Sequence, residues 1–132
     1  MLDSNVLISA RLEPRGPSAS LLRAWAEEKF ELIVSPQLLD ELADVLGRGR
    51  LRRWLTEHEA RVFVASLRND AIVVDDPPAQ PGITPDPDDD FVISLADAAG
   101  GGYLVSGDRH LTELVDPDPP VLTPREFLKL LE

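Results

Sequence analysis

Residues 31–47, "ELIVSPQLLDELADVLG", place a short apolar segment directly before a capped helix. The segment "ELIV" (31–34) is typical of a buried strand. Ser35 is then a favoured N-cap, Pro36 suits the first helical position, and Gly47 is a helix end signal. A strand followed at once by a helix is the repeating unit of an α/β protein.

The same alternation continues on both sides of this unit. Thr56 and Glu59 have the spacing of a capping box, which predicts a helix running to about Asn69. Further helices are predicted at 18–30, from near Asp88 to 100–102 and after Thr123. Strands are predicted at 71–74, at 103–106 and around Val121. Residues 75–88 are predicted to be a Pro-rich loop. We therefore expect a single α/β domain over residues 1–132, with a mainly parallel central sheet between two layers of helices.

Composition limits the classes of function. The 132-residue chain has a formal net charge of −11, which argues against a general electrostatic binder of nucleic acids or membranes. It has no cysteine, which excludes disulfides and thiolate-ligated metals. We find no signal peptide and no apolar stretch long enough to span a bilayer, so a cytoplasmic protein with no membrane partner is expected.

Acidic residues occur where the predicted elements begin and end. The stretch "PDPDDDFVISLA" (85–96) crowds four carboxylates before an apolar run, and a helical wheel places Asp89 towards the apolar side and Asp90 away from it. Glu41 lies at the border of the apolar face of its helix, and Asp3 and Asp108 directly follow short apolar segments. Each acid alone is also explained as a helix cap or a solvated surface residue, and capping is the interpretation for Asp88.

The combination of these acids favours a cation site. Ligands of parallel sheets bind beyond the carboxyl ends of the strands, which is where Asp3 and Asp108 are predicted to lie. Two carboxylates about 4 Å apart repel by about 1 kcal/mol even in water, and by more where water is scarce. Carboxylate oxygens suit Mg²⁺ or Mn²⁺, which could activate a water molecule beside a phosphate.

Four ordered motifs resemble those of PIN-domain ribonucleases, and the similarity is nearest to VapC-like toxins of bacterial toxin–antitoxin systems. The motifs are "DSNVLISA" (3–10), "VSPQLLDELADVL" (34–46), "DPDDDFVISLA" (86–96) and "YLVSGDRHL" (103–111). The resemblance implies a catalytic Mg²⁺ or Mn²⁺ site formed by Asp3, Glu41, Asp89 and Asp108, with Asn5, Asp86, Asp90 and Ser106 in supporting positions.

The same resemblance implies an activity and partners. The activity is endonucleolytic cleavage of RNA by metal-activated water, leaving a 3′-hydroxyl and a 5′-phosphate. The implied partners are an RNA substrate, a cognate antitoxin and a second copy of the chain in a homodimer. Only Met1 and Leu2 precede Asp3, whereas family members carry several apolar residues there, so we expect a shortened first strand.

One basic cluster stands out from the acidic background. It is "GRGRLRR" (47–53), which follows the helix that carries Glu41. We hypothesise that Arg48, Arg50, Arg52 and Arg53 contact RNA phosphates. The alternative is an ordinary solvated surface.

The sequence is also compatible with two other classes of function. A PIN fold could bind a partner without cutting RNA, and intact acidic residues do not exclude this. A receiver-like phosphoacceptor domain has a similar length and an acidic Mg²⁺ pocket. Receivers also use a Lys at the end of a late strand, and the lysines of this chain, Lys29 and Lys129, are not in that position.

Overall fold

A computed structural model describes residues 1–76, 102–113 and 120–131 of the chain. The predicted Pro-rich loop and the predicted helix that begins near Asp88 therefore lie mostly outside the described residues. Asp86, Asp89 and Asp90 also lie outside the described residues.

Helices and short strands alternate along the described chain. The helices are α1 (Ser4–Leu12), α2 (Pro17–Ala26), α3 (Pro36–Leu46), α4 (Glu57–Asp70), α5 (Arg109–Thr112) and α6 (Pro124–Leu131), with one 3₁₀ turn at Gly49–Leu51. The strands are β1 (Ile33–Val34), β2 (Ile72–Val73), β3 (Leu104–Val105) and β4 (Val121–Leu122).

The strand pairings are parallel, as the strand–helix alternation predicts. β1 pairs with β2, and β3 pairs with β4. The segment before Asp3 joins this arrangement through one isolated parallel bridge, between Leu2 and Val105. Leu2 is the one residue of this segment that is bridged in the described chain, and a shortened first strand stays a prediction. The described chain is thus α/β with a small parallel sheet, and the complete three-layer arrangement stays a prediction.

The predicted helix starts at Ser35 and Thr56 are confirmed. The hydroxyl of Ser35 is buried and accepts a hydrogen bond from the backbone N–H of Leu38 at 3.2 Å. Thr56 and Glu59 form a reciprocal capping box, with hydrogen bonds of 3.0 and 3.1 Å. These side chains satisfy N–H groups that have no partner inside the helix, so the boundaries are encoded locally.

The end of α2 differs from the prediction. The helix stops at Ala26 rather than at residue 30, because Glu28 adopts a left-handed backbone with φ of 60°. The N–H of Lys29 then donates to the carbonyl of Ala24 at 3.0 Å, which closes the helix end. Since Glu is not a residue that usually takes this conformation, the sequence carried no signal for the stop.

Buried leucines join the elements into a core. α1 packs against α2 and α3, α3 packs against α4, and α2 packs against α6. The fully buried side chains of this cluster include Leu2, Leu7, Leu21, Leu38, Leu42 and Leu104. Across the three described ranges, we find no helix with the length and apolar character needed to cross a membrane.

Candidate functional site

Asp3 lies where the bridged N-terminal segment turns into α1. Its backbone N–H donates to the carbonyl of Val105 at 2.9 Å, which continues the pairing with β3. Its own carbonyl accepts the first helical hydrogen bonds, from the N–H groups of Val6 and Leu7 at 3.0 and 3.1 Å. The N-cap position of Asp3 therefore fixes its backbone from both sides, and only 6% of the residue is exposed.

A serine hydroxyl connects Asp3 with the end of β3. Ser106 is fully buried, and its Oγ donates to Oδ2 of Asp3 at 2.8 Å. The same Oγ accepts a hydrogen bond from the backbone N–H of Asp108 at 3.0 Å, while Ser4 donates to Oδ1 of Asp3 at 3.4 Å. Ser106 thus brings the Asp3 side chain and the Asp108 backbone to one place at the carboxyl end of the sheet.

Burial makes the negative charge of Asp3 unfavourable. Desolvation raises the pKa of the Asp3 carboxyl above its ordinary value, and this effect outweighs the opposing hydrogen bond from Ser106 and the nearby N–H groups of Asn5 and Ser4. Within the described ranges, no Lys or Arg forms an ion pair with Asp3. A buried carboxylate in this situation gains stability from a cation.

The other expected site residues are placed only in part. Glu41 is half-buried on α3, and α3 packs against α1, the helix that Asp3 caps. Asp108 is half-buried and takes the N-cap position of α5, where its carbonyl accepts from the N–H groups of Leu111 and Thr112 at 3.0 Å. Asn5 is exposed in the first turn of α1. Asp86, Asp89 and Asp90 lie outside the described residues.

The donor set suits a hard divalent cation. The described members contribute only oxygen atoms, which Mg²⁺ and Mn²⁺ prefer, and Asp3 offers them from a poorly hydrated position. No group of three or more His, Asp or Glu side chains that could hold a metal ion occurs within residues 1–76, 102–113 and 120–131. Asp3, Glu41 and Asp108 all lie within these ranges, so the structure does not bring these three carboxylates together as such a group. Asp89, the fourth expected ligand, lies outside the described residues, and the complete set stays a prediction.

The basic cluster has structural contacts of its own. The guanidinium of Arg52 donates to the carbonyls of Leu46, Gly47 and Leu55 at 3.0–3.3 Å, and so satisfies the C-terminal end of α3. The guanidinium of Arg53 lies 5.3 Å from the ring centre of Trp54, a side chain with 59% exposure. Arg52 is thus explained by helix capping, and RNA contact by the cluster stays a prediction.

The bridging geometry of Ser106 is a feature that the sequence did not predict. Ser106 was expected only as a polar neighbour of the site, whereas it contacts two of the expected ligand residues. The sequence feature that could have predicted the contact with Asp108 is the order "SGD" at 106–108. A serine hydroxyl readily accepts a hydrogen bond from the backbone N–H two residues later.

The chain is an α/β protein with parallel strands. A buried carboxylate and other polar side chains lie at the carboxyl ends of these strands, and they form an acidic site there. The family model described as PIN domain matches residues 1–110, and the chain belongs to this family. It is also similar to the uncharacterized protein MJ1680 of Methanocaldococcus jannaschii, with 26% identity over 141 residues that cover 100% of this chain and 90% of that protein. PIN domains are generally metal-dependent nucleases.

The Ser106 hydrogen bonds predict a measurable loss of stability in Ser106→Ala. We expect a loss of about 1–3 kcal/mol near neutral pH without divalent cations, because a buried carboxylate and a partly buried N–H both lose their partner. Urea unfolding in a chelating buffer measures this loss. In an Asp3→Asn background the loss should be smaller, since the charged acceptor is gone.

The pH dependence of this effect has a defined sign. The pKa of folded Asp3 is raised above its ordinary 3.8, so the folded protein binds more protons than the unfolded chain. The contribution of Asp3 to the stability of the fold is fully present below pH 3.8, where the carboxyl is neutral. It is lost as the pH rises through the pKa of the folded state. Asp3→Asn should therefore exceed the wild type in stability at about pH 8 and approach it at about pH 4. An equal difference in stability between Asp3→Asn and the wild type at both pH values would contradict the conclusion that burial makes the charged form of Asp3 unfavourable.

Proposed function

We propose that this protein is a metal-dependent endoribonuclease and the toxin of a toxin–antitoxin pair. One observation carries the catalytic part of the proposal: the buried carboxylate of Asp3 is held by Ser106 beside Asp108, at the carboxyl end of parallel strands. Burying an uncompensated carboxylate costs stability, which a bound cation offsets. Membership of the PIN domain family makes a receiver-like function the weaker alternative.

Each residue of the proposed site has a separate task. Asp3, Glu41, Asp89 and Asp108 supply oxygen ligands for Mg²⁺ or Mn²⁺, and the bound ion would lower the pKa of water and offset the charge on the phosphodiester. Ser106 holds Oδ2 of Asp3 at 2.8 Å, and Ser4 contacts Oδ1 at the longer distance of 3.4 Å. Asn5, Asp86 and Asp90 are proposed as supporting residues around these ligands.

The biological role rests on the four-motif resemblance to VapC-like toxins. It supplies the proposals of an RNA substrate, an antitoxin partner, a homodimer and a cytoplasmic location. A toxin role predicts that expression of the wild type, without a partner, stops growth of a host cell and that Asp3→Asn does not. The rival proposal is a PIN fold that binds a partner without cleaving RNA, and cleavage assays separate the two.

Cleavage of RNA should require both a divalent cation and the proposed ligands. With Mn²⁺, we expect the wild type to cut a mixed pool of structured RNAs, and expect Asp3→Asn and Glu41→Gln to lower the rate by about a hundredfold or more. This is the scale of losing an electrostatic contact to the transition state. Gel analysis of 5′-labelled RNA measures the rates, and the mobility of the labelled fragment shows whether its new 3′ end is the expected hydroxyl.

Asp40→Asn is the matched control for Glu41→Gln. Asp40 is the preceding residue on α3 and is exposed, so the substitution removes a charge of the same sign from the same helix. Its cleavage rate should equal that of the wild type. Folded wild-type protein that binds RNA and Mn²⁺ without cutting would favour the non-catalytic module.

The RNA-contact hypothesis is best tested at Arg50 and Arg53, since Arg52 caps α3. Both test residues are exposed. Reversing them to Glu should weaken RNA binding and flatten its dependence on salt, because fewer counterions are released from the phosphates. Filter binding at several salt concentrations measures this, with Arg125→Glu on α6 as the control. An unchanged salt slope would assign the cluster to ordinary solvated surface.

A further inference from the structure

A surface groove of about 500 Å³ lies between α3 and α4, and none of the proposed metal ligands lines it. Its floor consists of small apolar side chains: Ala43, Ala60, Val64 and Ala65. Its rim carries charged side chains: Arg52, Glu57, Arg61 and Arg68. We call this feature the α3–α4 groove.

The two α4 arginines on the rim have a helical register. Arg61 and Arg68 are seven residues apart, which places them on one face of α4 about 10 Å from each other along its axis. Val64 and Ala65 lie between them on the same face. Neither arginine forms an ion pair with another residue of the described ranges. Both residues are exposed, so their guanidinium groups lie at the surface of the described chain.

The charge of this region is opposite to that of the chain as a whole. Residues 48–68 contain six arginines and two glutamates, in a protein with a net charge of −11. A second copy is a poor occupant, because a two-fold interface centred here would bring the same arginines of both copies together. RNA phosphates would pair with the rim and leave the apolar floor without a contact. An occupant with acidic flanks and a narrow apolar face satisfies both parts of the groove.

We propose that the α3–α4 groove docks an acidic amphipathic helix of another protein. Acidic residues seven positions apart on that helix pair with Arg61 and Arg68, and small apolar residues between them pack on Val64 and Ala65. The small side chains of the floor let a third helix approach closely, and a helix laid in an apolar groove is a common mode of peptide recognition. The proposal is independent of the nuclease activity, since it uses none of the proposed metal ligands.

A defined peptide pair tests the proposal on the full chain. The acidic probe is a fluorescein-labelled peptide of about 20 residues, long enough to form a helix. It carries Glu at every seventh position and Ala or Leu at the third and fourth positions after each Glu. The basic probe has Lys in place of each Glu. Fluorescence anisotropy should show that the wild type binds the acidic probe and not the basic one, more weakly at high salt.

Charge reversal and a filled floor distinguish the parts of the groove. The double variant Arg61→Glu with Arg68→Glu should lower the affinity for the acidic probe by about tenfold or more. The same variant should bind the basic probe, which the wild type does not. Ala65→Trp should weaken the acidic probe without a change of charge, because it fills the floor. Arg125→Glu on α6 is the matched control and should bind like the wild type. Thermal unfolding confirms that each variant is folded.

Two results would overturn the proposal. The first is that the folded wild type does not bind the acidic probe; if a fluorescent oligouridylate then loses affinity on the double reversal, the α3–α4 groove is an RNA surface. The second is that the double reversal leaves acidic-probe binding unchanged.

Discussion

The hydroxyl of Ser106 makes the contact on which the arrangement of the site depends, because it is bonded to the Asp3 carboxylate and to the Asp108 backbone. Pairing of the first residues with β3 fixes the backbone of Asp3 but not the direction of its side chain, which the hydrogen bond from Ser106 holds. Three main-chain hydrogen bonds and this one hydroxyl align the first residues with β3. α1 begins directly after Asp3, so the same contact also sets where the helix enters the core.

Local features of the fold were predictable because their causes are local. The caps at Ser35 and Thr56 are encoded within four residues of each helix start, and both were confirmed. The early end of α2 was not predictable, because it depends on a left-handed Glu28. At the site, parallel strand ends predicted that Asp3 and Asp108 lie near each other, and in the structure the Asp3 carboxylate and the Asp108 backbone N–H both bond to Ser106. The part of the site at Asp89 stays a prediction from the sequence.

The arginines show why charge patterns alone leave function open. Arg52 belongs to a basic cluster in the sequence, yet its guanidinium is engaged by carbonyls at the end of α3, a partnership that depends on the fold. Arg61 and Arg68 have no distinguishing pattern in the sequence, and the α3–α4 groove gives them a common face. The proposed cation site and the α3–α4 groove use different residues of this acidic protein, so each can be altered by substitutions that leave the residues of the other in place.

Binding of Mn²⁺ tests the central claim most directly, namely that the buried Asp3 carboxylate belongs to a cation site. Electron paramagnetic resonance of free Mn²⁺ during a titration gives the affinity of the wild type, Asp3→Asn, Asp108→Asn and the control Asp40→Asn. We expect saturable binding by the wild type and by Asp40→Asn, and a loss of at least about tenfold in both site variants. Equal Mn²⁺ binding by all four folded proteins, or none by any of them, would contradict the claim.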